Sequence, residues 1–237
     1  MVEPTTPRGR YRAQVRAEIK ECAWEQIATA GASALSLNAI ARRVGMSGPA
    51  LYRYFAGRDE LITELVRDAY RSLAAAFGAA DPKAGVAELA HVLRGWALDD
   101  PQRYFLVFGT PVPGYHAPGD ITTIASEPMT TLLDACTAEH AGDPATPLDA
   151  HAAAPPGGQA ALDAHLDGRR RWAGGHPAPP AVLRRALTFW TRLHGVLSLE
   201  LAGHFTGMGF DPALLYAAEL DALTGADDGR AEPLSHR

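Results

Sequence analysis

An all-α fold is predicted, and three observations predict it. The 237 residues include 45 Ala and 26 Leu but only 6 Ile and 10 Val, a composition that favours helices over sheets. Apolar residues recur at helical spacing through most of the chain. Glycine and proline fall between those periodic stretches, where helices must start or stop. At 47% hydrophobic residues the chain has enough apolar material to fold, and its length suits one or two domains.

Residues 1–10, with Pro4, Pro7 and Gly9 and no periodicity, read as a flexible basic arm. From Tyr11 the pattern is helical, with Val15, Ile19, Cys22, Ala23, Ile27 and Ala30 on one stripe and Gly31 as the stop. Ser36 is placed to cap a short second helix, Leu37–Val44, whose buried face is Leu37, Ile40, Ala41 and Val44. After Gly45, Ser47 can cap a third helix from Gly48 to about Phe55. Pro49 lies in its first turn, where the missing N–H costs nothing. Ala56-Gly57 breaks the chain before a long helix from Arg58 to about Ala80, with Leu61, Leu65, Val66, Ala69, Leu73 and Phe77 on its stripe. Residues 11–57 thus form one small domain, and 58–80 a connecting helix.

Residues 81–225 read as a helical body. Val86 to Ala97 is amphipathic, Pro101–Phe108 is a shorter helix, Gly109–Gly119 is a loop, and Ile121–Ala141 is helical again. Of the 39 residues in 142–180, 23 are Ala, Gly or Pro, which suggests a partly disordered insertion with a short helix near Gln159–Leu166. Ala181 to about Phe205 is apolar on most of its circumference and must be covered on more than one side. Asp211-Pro212 starts a final helix to about Leu223, and 226–237 read as a tail.

Charge is divided unevenly. Residues 1–58 carry nine Arg or Lys against four Glu, whereas the rest of the chain has 13 basic and 23 acidic groups. Such asymmetry suggests that the N-terminal end meets a polyanion. No apolar run reaches the roughly 18 residues that would span a bilayer, so no membrane partner is expected. MVEPTTPRGRYR holds no apolar signal core, and two cysteines, Cys22 and Cys136, make no disulfide scaffold. A cytoplasmic location is the expectation.

The informative segment is Leu35–Phe55, LSLNAIARRVGMSGPALYRYF, two short helices about the turn Val44-Gly45-Met46. That is a helix-turn-helix arrangement, whose second helix enters the DNA major groove. Small residues at its head, Ser47, Gly48, Pro49 and Ala50, let backbone approach base edges. Ser36, Tyr52, Arg53, Tyr54 and Arg58 are spaced to hold phosphates, and Arg42 and Arg43 end the first helix beside the turn.

Residues 11–77 resemble the DNA-binding domain of the TetR/AcrR family of transcriptional regulators. The likeness lies in ATAG at 28–31, LNAIARRVG at 37–45, Met46-Ser47, LYRYF at 51–55 and RDEL at 58–61. The run WTRLHGVLSLE at 190–200 resembles a Trp-His-Gly type of ligand-binding domain from one branch of that family, with Leu193 where Trp is often found. The resemblance implies an all-helical homodimer in which each chain has an N-terminal DNA-binding head and a C-terminal ligand-binding and dimerisation body. It implies that Ser36, Asn38, Ser47, Gly48, Pro49, Ala50, Tyr52, Arg53, Tyr54 and Arg58 lie on or near double-stranded DNA. Asn38 and Gly48 depart from the longer base-reading residues common in the family, so direct readout falls on Asn38, Ser47 and Arg53.

Trp96, Tyr104, Phe105, Phe108, Met129, Phe189, Trp190, Leu193 and His194 are the candidates for an effector cavity, each weighed against plain core packing. His140, His151, His165 and His176 are too irregularly spaced for a metal site, and neither metal nor cofactor is expected. The reading is a regulator, a repressor released from a pseudo-palindromic operator by a small apolar molecule. A dimeric DNA-binding protein without an effector is the alternative. An enzyme acting on a hydrophobic small molecule is disfavoured, because GxSxG, HExxH, Walker and GxGxxG patterns in suitable context are absent.

Overall fold

The computed structural model describes residues 6–81, 83–142 and 156–225. Among them are ten α-helices and no strand. The helices are α1 (Pro7–Ala30), α2 (Leu37–Arg43), α3 (Gly48–Leu51), α4 (Arg58–Gly78), α5 (Val86–Asp99), α6 (Pro101–Phe108), α7 (Ile121–Gly142), α8 (Pro156–Asp167), α9 (Pro180–Leu201) and α10 (Pro212–Thr224). Two compact units result. Among the described residues, one comprises 6–72 and 100–121, the other 73–81, 83–99, 122–142 and 156–225.

In the N-terminal unit the apolar stripes meet as their spacing requires. Val15, Ile19, Ala23 and Ile27 of α1 bury against Leu37, Ile40 and Ala41 of α2, Leu51 of α3, Phe55, and Leu61, Ile62, Leu65 and Val66 of α4. The first helix starts earlier than its stripe does. Thr6 accepts a hydrogen bond from Gly9 N–H at 3.1 Å and Pro7 takes the first helical position, so residues 7–10 are helical and not a loose arm. Conversely, α3 ends sooner than expected. Past Leu51, Arg53 and Tyr54 N–H groups bond three residues back, to Ala50 and Leu51, and the chain tightens through a turn into Phe55.

The break between α2 and α3 is a Schellman closure. Met46 N–H reaches Ala41 C=O at 2.9 Å and Gly45 N–H reaches Arg42 C=O at 3.3 Å, with Gly45 at φ +74°. A side chain there would be forced into the left-handed region.

The helix α6 and the loop after it belong to this same unit, although the sequence pattern groups them with the body. Val112 and Ile121 are buried in the cluster that holds α1–α4, with Leu106 and Tyr115 packed on it. The Arg103 guanidinium stands 5.7 Å over the Trp24 ring of α1.

In the second unit α9 is central, packed by α5, α8 and α10. Tyr216 of α10 donates to Ala90 C=O of α5 at 2.7 Å inside the core. Glu139 of α7 accepts from Val86 N–H and from Arg185 Nη2 of α9, each at 2.8 Å. In the Ala/Gly/Pro-rich stretch, the described part 156–180 carries helix α8, which spans the short helix expected near Gln159–Leu166 and extends past it at both ends. Helix α8 lies on α9 with Leu166 buried and Arg184 Nε on Asp163 at 2.8 Å. Arg170 then donates to His176 C=O at 2.8 Å and Ala178 C=O at 2.7 Å, folding the chain back before α9. Residues 143–155, His151 among them, and the tail 226–237 lie outside the described residues.

Gly45→Ala should lower unfolding free energy by about 1–2 kcal/mol, the cost of a side chain in the left-handed region. Urea denaturation should show a shifted midpoint with an unchanged slope.

Candidate nucleic-acid interface

α3 has only four residues, so its outward face must be set by what holds it from behind. Leu51 and Phe55 are fully buried, which turns Pro49, Tyr52 and Arg53 outward; all three are exposed, Tyr52 at 51%. Tyr54 is half-buried against the core. Ser47 caps the helix by backbone position and makes no side-chain capping bond. Gly48 is half-buried, and a Cβ there would meet only Asn38 Oδ1, at 3.4 Å. Ala50 is half-buried beside it.

On α2, Ser36 is the N-cap, its Oγ accepting from Ala39 N–H at 3.4 Å while its own N–H donates to Gln26 Oε1 of α1 at 3.0 Å. Asn38 and Arg42 are exposed on the same helix. Arg43 is exposed as well, and is paired with Glu25 of α1. The expected phosphate-facing residues therefore stand together along α2 and α3, with one correction. Arg58, expected to face phosphate at the head of α4, directs Nη2 to the carbonyls of Ala32 (3.0 Å) and Ser33 (3.2 Å). It braces the turn after α1, because that turn leaves backbone acceptors within its reach.

Sequence reading missed the clamp on the far end of α3. Arg12 Nη2 donates to Arg53 C=O at 2.9 Å, and Arg16 Nη1 donates to Tyr54 C=O. Arg16 also lies 4.1 Å over the Phe55 ring and pairs with Glu60 (3.9 Å) and Glu64 (3.8 Å) of α4. Lys20 continues the row, 2.5 Å from Asp68. Two rows of opposite charge at four-residue intervals, Arg12/Arg16/Lys20 and Glu60/Glu64/Asp68, were the available signal.

The nine residues expected to form an effector cavity divide between the units. Tyr104, Phe105 and Phe108 belong to the N-terminal one, where Phe108 stacks edge-on with Tyr70 at 6.1 Å and Tyr104 is fully buried. Trp96, Met129, Phe189, Trp190, Leu193 and His194 belong to the second, where Trp96, Met129, Phe189 and Leu193 are buried. Trp190 lies against His194 with ring centroids 4.3 Å apart. Burial pulls the His194 imidazole down to about 4, so it is neutral at physiological pH. No group of three or more His, Cys, Asp or Glu that could hold a metal occurs among the described residues. His176 instead pairs with Asp134 at 3.0 Å, and His165 with Arg169 at 3.1 Å. No described helix is long and apolar enough to cross a membrane.

A helix-turn-helix whose short second helix is exposed at Pro49 and followed at once by exposed Tyr52 and Arg53 is the arrangement of a DNA-binding transcriptional regulator. Comparison with known proteins makes the class particular. Residues 19–65 match the bacterial regulatory proteins of the tetR family, and 86–223 match the tetracyclin repressor-like C-terminal domain. The chain belongs to the TetR family of transcriptional regulators, which are DNA-binding proteins and not enzymes. It is 36% identical over 221 residues to the HTH-type transcriptional regulators Rv1816 of Mycobacterium tuberculosis and Mb1846 of Mycobacterium bovis, covering 90% of this chain and 92% of each relative. The crystal structure of protein SCO4313 is similar at a TM-score of 0.80 and 66% identity, over 93% of this chain and all of that one. The TetR family regulator PfmR of Thermus thermophilus shares the fold at a TM-score of 0.50 and 15% identity, over 87% of this chain and 97% of its own.

Arg16→Ala should destabilise the protein by about 1–2 kcal/mol, the worth of a charge-assisted hydrogen bond. It should also weaken DNA binding although Arg16 is not on the exposed face of α3; Arg16→Lys should recover part of both, read by urea melts and fluorescence anisotropy. A second expectation concerns pH. The unfolded state binds the His194 proton more readily than the folded one, so stability is complete above about pH 6.5 and declines toward pH 4. The loss is on the order of 3 kcal/mol. Denaturant midpoints from pH 7 to 4.5 should fall more steeply for the natural chain than for His194→Gln.

Proposed function

We propose that the protein is a homodimeric repressor released from a pseudo-palindromic operator by a small apolar effector. What chiefly supports this is the outward presentation of Pro49, Tyr52 and Arg53 on a buried Leu51–Phe55 anchor, flanked by exposed Ser36, Asn38 and Arg42. In this reading Ser47, Gly48, Pro49 and Ala50 approach base edges, Asn38 and Arg53 read them, and Ser36, Arg42, Tyr52 and Tyr54 hold phosphates. Arg43 serves through its ion pair with Glu25, and Arg58 acts indirectly by fixing the turn after α1.

A second copy is called for by the end of the second unit. Leu199 of α9 is 45% exposed and Leu214 of α10 70%, with Met208 and Phe210 of the intervening turn exposed too. Apolar side chains presented on two consecutive helices suit a symmetric interface. Two recognition helices about 34–36 Å apart would then meet successive major grooves. Release by an effector requires unequal affinity for two conformers, and α4, which contributes residues to both units, is the element through which they would communicate.

Gel shifts with a fragment from upstream of the gene provide the test. Arg42→Ala and Tyr52→Ala should weaken binding on all sequences, and Arg42→Ala should reduce the slope of log affinity against log salt by about 1. Arg53→Ala should in addition relax sequence preference. Unchanged affinity in all three would overturn the interface, and a monomer by analytical ultracentrifugation would overturn the symmetric reading.

A further inference from the structure

Helix α1 is longer than its core requires. Its buried residues begin at Val15 and none of Pro7–Gln14 is buried, so the first two turns stand clear of the cluster formed with α2–α4. Thr6 and Pro7 nevertheless start this projecting stub as regular helix. Helical spacing carries the buried stripe of Val15 and Ile19 back through Tyr11 and Arg12 to Arg8. The face that meets apolar partners further along therefore presents two guanidinium groups and a phenol here, with Tyr11 65% exposed.

Charge singles out the same face. Arg8, Arg12, Arg16 and Lys20 form a row at four-residue intervals, but acids of α4 answer only its last two members. Arg12 gives Nη2 to the Arg53 carbonyl, a neutral acceptor that leaves the positive charge standing. Arg8 is exposed and has neither ion pair nor hydrogen bond among the described residues. No acid occurs from residue 4 to residue 17. Cations at this end of a helix oppose its dipole, so α1 itself gains nothing from them. The row also has a direction. Arg16 holds the Tyr54 carbonyl and Arg12 the Arg53 carbonyl, so each turn toward the start of α1 moves toward the exposed Tyr52 and Arg53. Arg8 follows about 6 Å further along, roughly two nucleotides of one DNA strand measured on the duplex axis.

We propose that the first two turns of α1 are a second grip on double-stranded DNA. Arg8 and Arg12 hold phosphates adjoining those held by Tyr52, and Tyr11 donates its hydroxyl to the same backbone. Two features select duplex DNA as the occupant: the uniform positive charge of the stub, and its continuity with the outward face of α3 through the Arg12–Arg53 bond. Contacts of this kind add affinity without sequence preference. The inference rests on the DNA-binding reading of α2 and α3 and lengthens its footprint. Arg10 points away from this face, being two positions from Arg8 on a helix of 3.6 residues per turn.

Fluorescence anisotropy of the full chain tests the grip on two duplexes of about 40 base pairs, one from upstream of the gene and one of arbitrary sequence, at about 50 mM salt. Arg8→Ala should weaken binding to both about tenfold and reduce the slope of log affinity against log salt by about 1 for each chain bound. Its thermal melt should match that of the natural chain, because Arg8 supports no contact in the fold. Arg8→Lys should recover most of the loss, since a phosphate accepts a point charge. Arg10→Ala, which removes the same charge from the opposite face, should cost less than about twofold. Hydroxyl-radical footprints on the upstream duplex should lose protection at one edge of each half-site and keep the rest. Undiminished binding by Arg8→Ala, or an equal loss with Arg10→Ala, would overturn this proposal and leave the reading of α2 and α3 intact. Loss of the dimer by Arg8→Ala in analytical ultracentrifugation would assign the stub to a second copy of the chain and overturn it too. No binding of either duplex by the natural chain would overturn both readings together.

Discussion

A helix of four residues has no stability of its own, because nucleation costs more than one turn of hydrogen bonds returns. Everything that α3 presents therefore depends on its anchorage. Leu51 and Phe55 are buried in the same cluster as Ile19, Ile40 and Leu61, which fixes the roll of the helix. Arg12 and Arg16 hold the carbonyls at its far end, where the turn leaves acceptors without helical partners. With roll and end both held, Pro49, Tyr52 and Arg53 have one direction left to face.

The clamp is tied in turn to α4. Arg16 reaches Glu60 and Glu64 as well as the Tyr54 carbonyl, and Lys20 reaches Asp68. Single ion pairs at a surface contribute little, but a row sharing side chains fixes the axial register of two helices. Register matters here because α4 and the loop after α6 share the core beneath α3. The loop is held to α4 at two points, Tyr115 on Thr63 and Asp120 on Arg67, and Gly109 sets its direction.

Charge plays a different part in the second unit. Glu139 satisfies the first turn of α5 and Arg185 at once, and Arg94 pairs with Glu200 at 2.6 Å while standing 5.6 Å over the Tyr216 ring. Pairs this sheltered gain little net stability over apolar packing, yet breaking one leaves a charge without its partner. They select one arrangement of α5, α7, α9 and α10 from those an Ala- and Leu-rich surface would allow. The last turn of α9 is closed by Gly203 at φ +76°, earlier than its apolar run suggests.

Local order was legible in the residues themselves. The stripes of α1, α2 and α4, the Ser36 cap and the Gly45 closure involve partners within five positions, so spacing alone reveals them. Along α2 and α3, Ser36, Arg42, Ser47, Tyr52 and Arg53 follow from their places about the turn, whereas Asn38 follows only from the family resemblance. Arg58 on Ala32, Arg67 on Asp120 and the inclusion of α6 with α1–α4 join residues 26 or more positions apart. Which arginine braces backbone is decided only when helices pack. A guanidinium takes the acceptors that tertiary contact brings within its reach, and no pattern along the chain records that distance.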